Sequence, residues 1–234
     1  MQVVCGGTLI SEDTVLSAAH CFDGNNGITH VRLGEHDIST SSDGAVGVDV
    51  RIRRSVQHPG WNSNTLDNDL AVVKLSQSVS FTNNIRFVLE FDHLETKIFL
   101  LRPACLPDRY QNLDLASVLR NPAPVVVGWG STRTGGGPVN TLRQANVPMV
   151  TQATCRSAYS SISRVTIGDT KMCAGDGTRD TCNGDSGGAL LASSVGGVWS
   201  VVGVTSFGVD CARQDFPGVY TRVDKYLPWI RQNM

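Results

Sequence analysis

Hydrophobic and polar positions along the chain fall into short runs. Val46, Val48, Val50 and Ile52 alternate with Gly47, Asp49, Arg51 and Arg53, the pattern of a strand with one face buried. Leu70-Ala71-Val72-Val73-Lys74-Leu75, Val125-Val126-Val127 and Val201-Val202-Gly203-Val204 are largely apolar and read as strands in a core. Turn chemistry separates such runs, as in Asp23-Gly24-Asn25-Asn26-Gly27 and Pro59-Gly60-Trp61-Asn62. Many short strands between turn clusters favour a barrel architecture, with one set of strands over 1–108 and a second over 109–222. The tail changes period. Val223, Leu227, Ile230 and Met234 recur at helical spacing and predict an amphipathic helix within 223–234, with Pro228 tolerable near its start.

Composition narrows this picture. The 234 residues fit one large β domain or two small ones, and 41% apolar content is enough for a core. Net charge is −1 without a basic stripe, which argues against a nucleic-acid partner. No apolar run approaches the length of a membrane span. Met1 to Cys5 is too short for a signal peptide and runs directly into a strand. Repeats and low-complexity tails are absent from the sequence. Seven cysteines are present, and six of them alone could pair in 15 ways.

The chemistry concentrates in Cys182-Asn183-Gly184-Asp185-Ser186-Gly187-Gly188. Its glycines allow a sharp turn whose N–H groups converge on one point, and such a point favours an anion. A serine beside an anion hole suggests acyl transfer, although the run also fits a plain surface turn with an incidental serine. Serine needs a base, and the base needs an orienting group. Among the five histidines, His20 stands out in Leu16-Ser17-Ala18-Ala19-His20-Cys21, small residues around one imidazole. His30, His36 and His93 lie in polar or irregular surroundings, and His58 precedes Pro59 in a turn. Asp69 precedes an apolar run, so its carboxylate is a candidate for burial at a strand end, where an imidazole N–H suits it.

With His20, Asp69 and Ser186 in that order, the chain resembles the trypsin-like serine proteases of the chymotrypsin fold. The resemblance rests on Cys5-Gly6-Gly7-Thr8-Leu9-Ile10, Ser17-Ala18-Ala19-His20-Cys21, Asp67-Asn68-Asp69-Leu70-Ala71, Gly128-Trp129-Gly130, Gly184-Asp185-Ser186-Gly187-Gly188, Ser206-Phe207-Gly208 and Pro217-Gly218-Val219-Tyr220. The segments Val31-Arg32-Leu33-Gly34-Glu35-His36-Asp37 and Ala104-Cys105-Leu106-Pro107 are similar to those of arthropod clotting and immune-cascade (clip-type) proteases.

The resemblance implies an all-β fold of two packed antiparallel barrels with a C-terminal helix. It implies disulfides Cys5–Cys21, Cys155–Cys173 and Cys182–Cys211, hence an oxidising, extracellular compartment and a secreted protein. A zinc site at Cys5, His20 and Cys21 has no finger-like spacing. The implied roles are Ser186 as nucleophile, His20 as base, Asp69 as its orienting acid, and the N–H groups of Gly184 and Ser186 as oxyanion hole. Asp180 lies at the position of the family's pocket floor, which pairs with Arg or Lys of a substrate. Ser206, Phe207, Gly208 and Gly218 resemble the slot walls, and Leu66 would shape the adjoining subsite. No cofactor is implied. A calcium site through Glu35 in the 35–49 loop lacks a second matching glutamate, so no metal is expected. Cys105 is left over and resembles a tether to an upstream propiece or light chain. Protein or peptide substrates and protein inhibitors are the other implied partners.

Two departures from the family pattern stand out. An activation segment of the Ile-Val-Gly-Gly kind and the first strand do not precede Cys5, so Asp185 would lack its cation, and a zymogen-like chain is the expectation. The stretch 87–102 is an extra apolar insertion without turn chemistry, the expected mark of a retained intron or mispredicted exon rather than a partner-binding insert. Two function classes follow: a secreted endopeptidase cleaving after Arg or Lys in a proteolytic cascade, or a catalytically silent homologue that binds partners.

Overall fold

The computed structural model describes residues 4–24, 27–45, 47–81, 103–194 and 197–234. The readings made on Met1 to Val3, Asn25, Asn26, Val46, His93 and the 87–102 insertion lie outside the described residues.

The first half supplies β1 (Thr8–Ser11), β2 (Thr14–Ser17), β3 (His30–Leu33), β4 (Val48–Gln57) and β5 (Ala71–Leu75). They pair antiparallel in the order β1-β2-β5-β4-β3. All residues of β2 and β5 are buried, because their two faces pack into different clusters: Leu16 and Val72 in one, Val15, Val73 and Leu75 in the other. On β4 the alternation is seen at Val50, which is buried between exposed Asp49 and Arg51.

The second half supplies β6 (Val125–Gly128), β7 (Arg143–Asn146), β8 (Met149–Val150), β9 (Lys171–Ala174), β10 (Ala189–Ser193), β11 (Trp199–Phe207) and β12 (Gly218–Arg222). Their order is β7-β6-β10-β11-β12-β9-β8, again antiparallel. Register shifts at Leu9/Ser11, Ile52/Arg54, Leu190/Leu191 and Thr205/Phe207 add the local bends that curl both sheets into half-barrels.

Two short helices depart from the all-strand reading of 109–222. They are α1 (Leu115–Val118), capped by the Asp114 side chain, and α2 (Gln152–Tyr159), capped by Thr151 Oγ1 accepting from the Thr154 N–H. Only Cys155 and Tyr159 of α2 are buried, so its apolar period is too sparse to read. The final helix, α3 (Leu227–Asn233), begins later than 223. A single 3-10 turn over Val223–Lys225 precedes it. Pro228 has no N–H to give Asp224, so it fits only the first turn of an α-helix.

One core binds both sheets and α3. Leu16, Leu70 and Val72 from the first sheet meet Leu191, Val201 and Val204 from the second, and Leu227 and Ile230 close over them. Each side chain of this kind contributes about 1.5–3 kcal/mol on burial. The core therefore fixes the strand ends of the two sheets relative to each other, and the candidate residues stand on those ends.

Candidate active site

His20 sits in a 3-10 turn (Ala19–Phe22) directly after β2. Ala18 and Ala19 are fully buried, and their small side chains let the turn close on the core. The Cys5–Cys21 disulfide pins the turn to the chain entering β1. Asp69 stands two residues before β5 and is 1% exposed. Its Oδ2 lies 2.7 Å from His20 Nδ1, and its Oδ1 accepts the His20 backbone N–H at 2.9 Å. Ser206 Oγ donates to Oδ2 at 2.5 Å, and Thr221 Oγ1 donates to the Asp69 carbonyl at 2.8 Å. A carboxylate only accepts, so the neutral imidazole carries its proton on Nδ1 and leaves Nε2 as an acceptor. The hydroxyls of Ser206 and Thr221 were not singled out as Asp69 partners by sequence reasoning. A lone hydroxyl in a strand gives no signal of the buried acid it faces.

The Ser186 loop joins β9 to β10. Its turns are closed by the Asp185 N–H on the Cys182 carbonyl (2.9 Å) and the Gly188 N–H on the Asp185 carbonyl (2.9 Å). The Cys182–Cys211 disulfide ties it to the loop after β11. Across the sheets, the Gly6 N–H donates to the Ser186 carbonyl at 2.7 Å. Gly187 has φ +79°, and a Cβ there would lie 2.4 Å from Ser17 Oγ and 2.6 Å from the Gly6 carbonyl, so only glycine fits the junction. Gly184 has φ +100°. Among the described residues, neither the Gly184 nor the Ser186 N–H is spent on a hydrogen bond within the chain. Cys21 Sγ lies 3.8 Å from the Ser186 carbonyl and 3.9 Å from His20 Nε2. The structure therefore joins His20 to Asp69 and sets the Ser186 loop beside them. Among the described residues it holds no hydrogen bond from Ser186 Oγ to His20 Nε2.

Asp180 is held by two backbone donors, Thr181 N–H on Oδ1 (2.8 Å) and Ala212 N–H on Oδ2 (3.0 Å). Burial pushes its carboxyl up to about 6, against the opposite pull of these two bonds. Gly218 borders it so closely that a Cβ would fall 2.4 Å from Asp180 Oδ1. Ser206 is buried, Gly208 is exposed, and the Phe207 ring packs edge-on against Tyr159 at 5.7 Å between centroids. Leu66 is half-buried at the tip of a loop, with φ +55°.

The Asp185 carboxylate is held by two backbone donors. Its Oδ1 accepts the Gly130 N–H and its Oδ2 the Cys182 N–H, both at 2.9 Å. Burial raises its pKa. Among the described residues no side-chain cation forms an ion pair with it.

The two metal readings fall on Cys5, His20 and Cys21 and on Glu35. The ligand atoms of Cys5, His20 and Cys21 lie within 4.8 Å of one another, but the two sulfurs are bonded to each other. A disulfide offers no thiolate to zinc. Glu35 in the 35–49 loop is engaged by Arg32 Nε at 3.0 Å. The third disulfide, Cys155–Cys173, joins α2 to β9, and Cys105 is a free, exposed thiol. Among the described residues no helix is long and apolar enough to cross a membrane.

Comparison with known proteins bears on the whole chain. The sequence model of the trypsin family matches residues 1–230. The chain is similar to the proclotting enzyme of Tachypleus tridentatus, at 33% identity over 242 residues covering 100% of this chain and 59% of that protein. It is 38% identical to the alkaline trypsin B of Manduca sexta over 232 residues, 98% of this chain and 78% of that one. With phenoloxidase-activating factor 1 of Holotrichia diomphalia it shares 34% identity over 251 residues, 100% of this chain and 62% of that protein. The chain thus spans about three fifths of two of these relatives.

Proposed function

The chain belongs to the trypsin family of serine endopeptidases, and from that premise we propose that it cleaves polypeptides after Arg or Lys within an extracellular proteolytic cascade. The observation that carries the catalytic reading is the 2.7 Å contact between buried Asp69 and His20 Nδ1, which leaves Nε2 open beside the Ser186 loop.

In this reading Ser186 Oγ attacks the carbonyl carbon of the scissile bond while His20 Nε2 takes the hydroxyl proton. The carbonyl π pair moves onto oxygen, and the unspent N–H groups of Gly184 and Ser186 receive that charge. Each such donor is worth about 3–4 kcal/mol in the transition state. The tetrahedral adduct collapses, the C–N bond breaks, and His20 passes its proton to the departing amine. Water then attacks the acyl-enzyme by the same route and regenerates Ser186. Asp69 keeps the imidazole oriented and balances its charge while it is protonated.

Asp180 supplies the preference for a cationic side chain. A buried carboxylate with two backbone donors has room for a guanidinium or ammonium as its remaining partner. Gly208 and Gly218 keep the approach clear. For Asp185 the proposed partner is an α-amino group freed by proteolytic activation, which would order the loop as it pairs. Three disulfides support an oxidising, extracellular location. The names of the clotting and phenoloxidase-activating relatives support the cascade context. Cys105, exposed and free, serves as tether to a propiece or light chain, and protein inhibitors are the remaining partners.

The test uses the complete natural protein after whatever processing it undergoes. Peptidyl amides ending in Arg, Lys, Phe or Ala are compared, with Ser186→Ala as control. Turnover confined to Arg and Lys, and lost with Ser186→Ala, is expected. Failure of an organophosphonate to label Ser186 in the processed protein would instead favour a silent, partner-binding homologue.

A further inference from the structure

Lys171, the first residue of β9, is only 3% exposed and is not used by the chemistry above. Lysine is rarely buried unless it is paired. Here each of the three ammonium protons has an acceptor: Asp67 Oδ1 at 2.6 Å, the Thr166 carbonyl at 2.9 Å and the Thr65 carbonyl at 3.1 Å. The ammonium also lies 5.7 Å from the centre of the Phe207 ring, within cation–π range. One side chain of the second sheet thus holds the 62–68 loop of the first half, the segment leading into β9, and an aromatic ring at the end of β11.

Leu66 lies between the two loop anchors, Thr65 and Asp67. Its φ of +55° is unusual for a branched, non-glycine residue and needs support from its surroundings. On one side the loop closes on itself, with the Asn62 N–H donating to the Asp67 carbonyl (3.1 Å) and the Leu66 N–H to the Asn62 carbonyl (2.8 Å). On the other side stands Lys171. Burial opposes charge on Asp67, yet hydrogen bonds from Lys171 and Thr65 hold its carboxyl below the ordinary carboxylate value. An apolar side chain of similar length would fill the same volume, and such a replacement of a buried ion pair is often neutral or stabilising. What the cation adds is directional: three aimed bonds and a ring contact.

We propose that Lys171 is a positioning residue for the substrate groove, setting Leu66 and Phe207 at the distance that fits the residues preceding the cleaved bond. The proposal rests on the protease reading, in which Leu66 shapes the subsite adjoining the slot and the Ser206 to Gly208 backbone receives an extended substrate as an added strand would. Lys171 touches no reacting atom, so it governs extended substrates and not the cleavage step itself.

The experiment compares the complete natural protein with Lys171→Met on two substrates, a single-residue Arg amide and a four-residue peptidyl amide ending in the same Arg. The ratio of kcat/KM between the extended and the minimal substrate should fall about tenfold, through KM, with the minimal substrate unchanged. Asp67→Asn keeps an acceptor at a half-exposed site but loses the charge. It should lower the same ratio in the same direction to a smaller degree, and it carries the test if Lys171→Met does not fold. Circular dichroism melts accompany both. An unchanged ratio overturns the inference, and so does an equal fall on both substrates, which marks a general structural clamp. Wild-type protein that turns over neither substrate overturns the protease reading and this inference with it.

Discussion

Ser206 Oγ donates to Asp69 Oδ2 at 2.5 Å, on the oxygen that also faces His20 Nδ1 at 2.7 Å. Together with the His20 N–H on Oδ1, this gives a carboxylate that is 1% exposed a full set of donors. A buried charge without them would be expensive. Ser206→Ala removes one donor and leaves the other two. The loss is worth about 1.5–3 kcal/mol of stability, since the bond is to a charged group. Looser seating of the imidazole should lower kcat/KM about tenfold, equivalent to about 1.4 kcal/mol in the barrier. Denaturant melts and steady-state kinetics on an Arg amide check both. Unchanged kinetics would mean that the two remaining His20–Asp69 hydrogen bonds and the turn hold the ring without Ser206.

Gly218→Ala tests the slot. A Cβ at this position lies 2.4 Å from Asp180 Oδ1, so the carboxylate must shift or the added methyl must occupy the space a substrate side chain needs. Turnover of Arg and Lys amides should fall about 10- to 200-fold, the range for one added carbon in a fitted pocket. Acylation of Ser186 by a small organophosphonate that leaves the slot empty should be largely retained. Parallel loss of both readouts would place the damage in the Ser186 loop instead.

Ile230→Ala tests the seam. Ile230 is fully buried with Leu16, Leu70, Leu191 and Val201, residues of both sheets. Truncation should cost about 2–5 kcal/mol through lost contacts and the cavity left behind. At about 2–4 °C per kcal/mol for a chain of this size, the melting temperature should drop by about 4–20 °C. Because His20, Asp69, Asp180 and Ser186 are not members of this core cluster, kcat per folded molecule at low temperature should stay near the wild-type value. Active-site titration against total protein separates the two effects.

How much of this was legible depended on range. The strand runs at Ala71–Leu75 and Val125–Gly128 and the helical tail declare themselves through local period, and the structure has strands and a helix there. The pairing of His20 with Asp69 could be suspected because each lies in a distinctive local setting, small residues before one and an apolar run after the other. Local pattern fails where a contact joins distant, ordinary residues. Ser206 reaches Asp69 across 137 positions, and Lys171 reaches Asp67 across 104, and neither partner carries a local mark. Lys171 even contradicts its neighbourhood, a cation heading a strand whose residues are all buried. Helix α2 was missed for the opposite reason. Its stability comes from the Thr151 cap and the Cys155–Cys173 bond rather than from a continuous apolar face.

With Asp180 as the proposed partner of a substrate cation, affinity for cations should depend on pH in a defined direction. Burial raises its carboxyl from 3.8 to about 6, so in the free protein the group takes up a proton as pH falls through that value. An arylamidine inhibitor needs the ionised form and makes no demand on acylation. Its inhibition constant should be flat above about pH 7 and rise about tenfold per pH unit well below 6, as one proton competes with one cation. Bound inhibitor should pull the Asp180 pKa down in return. The stability linkage runs the other way. Between 3.8 and about 6 the folded state holds a proton that the unfolded chain has released, so this group's contribution is full below 3.8 and is lost as pH rises through about 6. Asp180→Asn should therefore melt at or above the wild-type temperature at pH 7, bind the arylamidine weakly, and lose the pH dependence between 5 and 7. Retention of that dependence in the Asn variant would assign it to another group and remove Asp180 as the cation's partner.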